Sequence, residues 1–275
     1  MEYQFDLVGK IGSMALIRKE DQAIDYNIIS RLGADLKPGM IWVTSGATEI
    51  GRLDYIKRTG HELSGDPEQD KTDYSAQGQA ILMQNYRQFI RPEYGLRQIL
   101  VEHTHFNDAE KREHIKQLLI RAAKQKTIPI INYNDPVSDE ENRKMELAAR
   151  RMQGGEVHEC VDNDETAAVI AGLVKARLLV LMTSTEGIYR EKGNPDSLVR
   201  DVTGKTYEEV EKKIRELQNC CIGASRAGAN GARAKLEYAL GCVRGGTTVV
   251  IGHARHHLAD LAEGRVPCTR IGVDA

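Results

Sequence analysis

The sequence predicts an α/β fold: a three-layer αβα sandwich around a mostly parallel central sheet. Three observations carry this. Short apolar runs alternate with segments of helical periodicity along the whole chain. Two of the runs, Ile128–Ile131 and Leu178–Met182, are apolar throughout, as expected of parallel strands buried on both faces. Each ends in small polar residues, and ligands of open α/β sheets sit at the carboxyl ends of strands, often on the N-termini of the helices that follow.

The elements follow in order. Phe5–Val8 reads as the first strand, with Lys10 at its end and Gly12 and Ser13 in the loop after it. Neither a Walker loop nor G-x-G-x-x-G is present, so a phosphate site here rests only on outward backbone N–H groups and one lysine charge. An exposed strand-end lysine is the competing reading. Ile24, Ile28, Ile29 and Leu32 have helical spacing, and that helix stops at Pro38-Gly39. Ile41–Val43 is the next strand, followed by the turn Ser45-Gly46-Ala47. That turn either admits a ligand to the backbone or is a plain strand-to-helix connection.

Residues 58–73 are polar and non-periodic and read as a surface loop. A helix follows with an apolar stripe through Ile81, Leu82, Tyr86 and Phe89. Its Gly78 costs about 1 kcal/mol against Ala, which close packing would offset. The strand "RQILVEH" precedes a helix capped by Asp108 and running through Lys124. His103 and His105 flank that strand end; with no third ligand in a visible pattern, they read as hydrogen-bonded or solvated rather than as metal ligands. Asn134 and Asp135 hang at the end of Ile128–Ile131, Asn163 and Asp164 open a helix, and Thr183 and Ser184 end Leu178–Met182. Residues 190–202 read as a loop, 206–217 as an exposed helix, and Gly223, Gly228 and Gly231 as a second glycine loop leading into a helix that carries Lys235. "TTVVIG" is the last strand, and a short helix and tail close the chain.

Bulk properties narrow the function. The formal net charge of −2 does not suggest binding to nucleic acid, and no apolar run is long enough to cross a membrane. The N-terminus lacks a basic region followed by an apolar segment, so no signal peptide is expected. The five cysteines show no C-x-x-C spacing and read as free thiols in a cytoplasmic protein.

Taken together, "GKIGS", "VTSGATEIG", the long "GQAILMQNYRQFIRPEYGLRQILVEHTHFNDAEKREHI" stretch, "IPIINYNDPV", "VDNDETAAVIAGLVKARLLVLMTSTEGIY" and "GANGARAKLEYA" resemble, in order, the motifs of the amino-acid kinase superfamily. Within it they are most similar to glutamate 5-kinases. The resemblance covers nearly the whole length as a single kinase domain, residues 1–275, with an acceptor-side half to about residue 165 and a nucleotide-side half beyond. It implies a carbamate kinase-like fold without an appended C-terminal PUA domain. It also implies ATP and Mg²⁺ as cofactors, a small anionic acceptor and a homo-oligomer, dimer or tetramer. By the resemblance, Lys10 and Lys235 contact the transferring phosphoryl group and Asp164 positions them. Ser45, Gly46, Ala47, Asp135 and Asn163 hold the acceptor. Gly12, Ser13, Thr183, Ser184, Ala229, Asn230 and Gly231, with the two lysines, hold the nucleotide. No residue is assigned to a metal.

Departures from the family pattern cluster around the acceptor and the nucleotide loop. Tyr133 stands for a glutamate, Val161 for a glycine, Ser184 for an aspartate, Asn230 for a glycine and Ala234 for a threonine. Residues 139–159 are additional to the glutamate kinase pattern. The implied activity is phosphorylation of a small carboxylate, L-glutamate first, as in proline biosynthesis. Two alternatives stand beside it: a sibling kinase with another anionic acceptor (carbamate, aspartate, UMP or a phosphate or phosphonate), and a catalytically weak nucleotide-binding regulatory or storage homologue.

Overall fold

The computed structural model describes residues 4–18, 20–138, 140–152, 154, 157–160, 162–191, 193–220 and 231–274. The chain runs β1 (Phe5–Ile11), α1 (Tyr26–Asp35), β2 (Met40–Val43), α2 (Ala47–Thr59), α3 (Pro67–Phe89), β3 (Gly95–Val101), α4 (Thr104–Asn107), α5 (Ala109–Lys124), β4 (Thr127–Tyr133) and α6 (Glu140–Met152). It continues α7 (Asn163–Leu173), β5 (Ala176–Thr183), β6 (Ile188–Tyr189), β7 (Leu198–Val199), β8 (Asp201–Gly204), α8 (Tyr207–Cys220), α9 (Gly231–Arg244), β9 (Thr248–His253), α10 (Leu258–Ala262) and β10 (Cys268–Val273).

Eight strands form one sheet in the order β3-β4-β2-β1-β5-β9-β10-β8. All neighbours are parallel except β9 and β10. Successive strand side chains point to opposite faces. Leu7, Ile11, Trp42, Leu178 and Val180 therefore enter one core, and Val8, Ile41, Val43, Leu179 and Leu181 the other. Helices cover both faces, as the uniformly buried strands require. The order reverses at β1: the chain first builds outward through β2, β4 and β3, then returns to β5 on the other side of β1. Such a reversal opens a crevice at the strand ends where ligands bind.

Three glycines allow this packing. A Cβ on Gly9 would meet Trp42 at 2.1 Å. In the α2–α3 hairpin, a Cβ on Gly78 would fall 1.8 Å from the Ala47 carbonyl oxygen, and one on Gly51 1.8 Å from that of Tyr74. The helical glycine thus lets the two backbones touch.

Several expectations need correction. β1 does not stop at Val8; pairing with β2 and β5 carries it to Ile11, so Lys10 is inside the sheet and buried rather than exposed at the strand end. Residues 58–73 are not one loop. α2 runs through Thr59, and Asp66 starts α3 by accepting from the backbone N–H groups of Glu68 and Gln69, with Pro67 at the first helical position. The additional residues form a helix, α6, and the stretches read as loop and tail contain β7, β8 and β10. Asp108 does cap α5, accepting from the Lys111 N–H.

Candidate active site

Lys10 shares the face of Val8, which is covered by α7. α7 starts with Asp162 as its cap, accepting from the Asp164 N–H at 2.9 Å. This directs the Asp164 side chain at the end of β1. Its Oδ1 lies 2.7 Å from the Lys10 Nζ and its Oδ2 2.6 Å from the Lys235 Nζ. Lys235 comes from the second turn of α9, 225 positions further along the chain than Lys10 (235 − 10). One carboxylate therefore bridges two ammonium groups.

The triad is nearly dry. The side chains of Lys10, Asp164 and Lys235 are 8%, 3% and 19% exposed. Burial alone would raise the Asp164 pKa, but the charges of Lys10 and then Lys235 outweigh it and hold the carboxyl at about 2. Its neighbour Asp162 goes the other way: burial and the Asp164 charge push its pKa up, against the pull of the lysines. One anion is kept ionised while the other is discouraged.

Two cavities open at the carboxyl ends of the strands. The first, about 520 Å³, lies beyond β5 and β9 and is lined by Thr183, Ser184, Gly187, Tyr189, Gly231 and Lys235, among others. The N-terminus of α9 enters it at Gly231, whose φ of +64° suits glycine. The second, about 440 Å³, lies beyond β2 and β4 and includes Ser45, Gly46, Ala47, Asn132, Asp135 and Asn163 in its wall. Asn163 Nδ2 donates to Ser45 Oγ at 3.1 Å and to Asn132 Oδ1 at 3.0 Å, and Asn132 Nδ2 donates to Gln79 Oε1. This chain of donors fixes the Asn163 amide and leaves its Oδ1 buried without a protein partner. Gly46, with φ of +100°, caps α2 close to Ser13. Asn163 lines the second cavity, Lys235 lines the first, and Asp164 joins them.

Residues 7–253 match the family model described as "Amino acid kinase family". The chain belongs to that family. It is 30% identical over 264 residues to the glutamate 5-kinase of Streptococcus suis (strain 05ZYH33), covering 93% of this chain and 66% of that one. It is 31% identical over 260 residues to the glutamate 5-kinase of Geobacillus thermodenitrificans (strain NG80-2), covering 92% and 60%. The chain thus spans about two thirds or less of the length of these relatives. Among solved structures, it is similar to the carbamate kinase from Giardia lamblia bound to AMP-PNP, with a TM-score of 0.59, 10% identity and 99% coverage of each chain. That likeness speaks for the shared αβα fold.

The residues expected from the sequence distribute as follows. Lys10, Asp164 and Lys235 meet. Ser45, Gly46, Ala47, Asp135 and Asn163 share the second cavity, and Thr183, Ser184 and Gly231 share the first. Ser13, expected with the nucleotide set, lines the second cavity. A Cβ on Gly12 would lie 3.9 Å from the Lys10 Nζ, so Gly12 sits beside that ammonium. Ala229 and Asn230 lie outside the described residues, as does Val161. His103 bonds to Glu146 at 2.8 Å, and His105 Nδ1 accepts from the Glu102 N–H at 2.9 Å, in line with the hydrogen-bonded reading.

Sequence reasoning missed the far wall of the second cavity. The α2–α3 hairpin supplies Glu49, Glu62, Asp70, Lys71 and Tyr74 to it. Arg52 bonds both Glu49 and Glu62 and ties the wall together. The one local signal was the Asp66-Pro67 cap, which places the start of α3 near these residues.

Proposed function

We propose that this protein is an ATP-dependent kinase that transfers a phosphoryl group to the carboxylate of a small amino acid, L-glutamate first. The observation that carries this is the Lys10–Asp164–Lys235 bridge between two cavities. Phosphoryl transfer asks the protein mainly for in-line positioning and for cations around the equatorial oxygens. A carboxylate acceptor is ionised at neutral pH, so it needs no strong general base, but two anions must approach each other. The triad fits that task. Asp164 holds both ammonium groups at one spot, and its single charge is outnumbered by theirs.

The cavity of β5 and β9 suits the nucleotide, with an α-helix N-terminus and the Lys235 ammonium turned to its phosphates. Among the described residues no group of three or more His, Cys, Asp or Glu could hold a metal ion. Mg²⁺ would be carried on the nucleotide phosphates, where it would neutralise charge. The second cavity suits the acceptor. Its wall holds four carboxylates, Glu49, Glu62, Asp70 and Asp135, against one lysine, Lys71. The unpaired Asn163 Oδ1 accepts only from a donor. An ammonium-bearing acceptor satisfies both features, whereas a phosphate tail would face the carboxylates. The family and the glutamate 5-kinase relatives support the same reading.

ADP release, measured with a coupled assay over L-glutamate, L-aspartate, carbamate and UMP, tests it. Turnover with L-glutamate is expected; no turnover with any of the four would refute it.

A further inference from the structure

α6, the helix additional to the glutamate kinase pattern, docks on the body through one face. Arg143, Glu146, Leu147 and Arg150 recur at helical spacing along that face. Leu147 is 2% exposed. Glu146 bonds to His103 Nε2 at 2.8 Å, and Arg150 Nη1 donates to the Asn107 carbonyl at 2.8 Å. The opposite face is solvated, with Met145 exposed. Docking therefore fixes where Arg143 points. Its Nη1 lies 3.4 Å from Ser138 Oγ, which in turn sits 3.0 Å from the Tyr133 hydroxyl. Arg143 thus reaches Ser138, the residue that ends the turn Asp135–Val137. Asp135, the first residue of that turn, shares the acceptor cavity with Lys71 of α3, and α3 packs on the same turn.

A carboxylate that shares a cavity wall with one cation, Lys71, and has a second, Arg143, bonded at the far end of its own turn is the complement of an α-amino-acid head group, which carries an ammonium and a carboxylate on one carbon. We propose that the α6 helix supplies specificity for an α-amino acid: Arg143, together with Lys71, receives the acceptor's α-carboxylate beside Asp135, which receives its ammonium. This rests on the kinase reading above and adds the residues that would distinguish glutamate from acceptors lacking the head group. The charges at the turn agree. Burial raises the Asp135 pKa, and Lys71 and then Arg143 oppose the rise, so both cations act at this carboxylate.

The test compares wild type, Arg143→Ala and Arg143→Gln. The glutamine keeps a donor for Ser138 without the charge. Calorimetric binding of L-glutamate and of 4-aminobutyrate, which has no α-carboxylate, is measured beside ATP turnover, with thermal melts for folding. Both variants are expected to bind L-glutamate roughly ten- to a hundredfold more weakly, the range for a lost hydrogen bond to a charged group. Binding of 4-aminobutyrate should stay within about twofold, because the lost partner is absent from that ligand. Equal weakening of both ligands would assign Arg143 a structural role and overturn the proposal. So would unchanged glutamate affinity, or a wild type that phosphorylates another acceptor but does not bind glutamate. Failure of the wild type to release ADP with any acceptor would strike the kinase reading instead, and the binding comparison would still decide Arg143.

Discussion

Replacing Asp164 with Asn removes one charge and almost no volume, and so isolates the electrostatics of the bridge. In the wild type the two ion pairs at 2.7 and 2.6 Å hold the carboxyl at about 2, against an ordinary 3.8. At about 1.4 kcal/mol per pKa unit, that shift gives the ionised form about 2 kcal/mol of folding stability at neutral pH. The asparagine also leaves Lys10 and Lys235 buried, facing each other without an anion, and removing one partner of a buried pair costs about 3–5 kcal/mol. Urea unfolding should therefore place Asp164→Asn about 2–5 kcal/mol below the wild type, with an unchanged m-value. A second measurement ties the loss to charge. The variant presents two cations to an open crevice, so sulfate should stabilise it, by about 2.7 kcal/mol at a hundred times its dissociation constant, and stabilise the wild type less. A loss under about 1 kcal/mol, well short of what breaking a buried pair costs, with the same sulfate response in both proteins, would refute the reasoning.

Three further outcomes are expected. Because the folded Asp164 pKa is depressed, its contribution is present above pH 4 and is lost as pH falls through about 2; the stability advantage of the wild type over Asp164→Asn should shrink by about 2 kcal/mol across that window in acid unfolding curves. Gly78→Ala, which at an exposed helix site would gain about 1 kcal/mol, should instead lower the urea midpoint, since its Cβ would lie 1.8 Å from the Ala47 carbonyl; a raised midpoint would contradict the close packing of the hairpin. Lys10→Ala and Lys235→Ala should each cut ADP release by several orders of magnitude under saturating ATP, and full activity in either would remove that lysine from the site.

The strands were legible where both faces are buried. β4 and β5 contain the apolar runs Ile128–Ile131 and Leu178–Met182 because helices cover each side of them. β1 was read too short because Gly9 and Lys10 interrupt its apolar run, although the pairs Lys10↔Val43 and Lys10↔Leu181 continue the sheet. What draws a lysine into a strand is a carboxylate more than 150 positions away, which no local pattern reports. β10 hid for a related reason: its Arg270 breaks the apolar run, and its strand character comes from pairing with β8 and β9. Asp135, Asn163, Ser45 and the lysines were found through motif order. Glu49, Arg52 and Glu62 were not: no motif marks the first two, and Glu62 falls in the stretch read as a surface loop. The contact of Gly51 and Gly78 sets how closely α3 packs on α2, and the cavity wall beside that hairpin holds Glu49 and Glu62, tied by Arg52.

The bridge itself argues for function over fold. A buried ion pair is weak evidence of stabilisation, since apolar residues of similar volume often serve as well or better by 1–4 kcal/mol. The surroundings would accept such residues readily: Val8 precedes Lys10 on the same strand face, Leu236 follows Lys235 into the core, and Ala167 and Ile170 continue α7 into it. A chain selected for stability alone had an apolar solution at each of the three positions. It instead places two ammonium groups from opposite ends of the sequence on one carboxylate, at the point where the sheet reverses and between two cavities. Asp164 alone also cannot neutralise both cations, and ionisation of its neighbour Asp162 is opposed by burial and by the Asp164 charge, so an incoming anion is favoured at this nearly dry site. That imbalance is what a protein that brings two anions together requires, and it has no use in a scaffold.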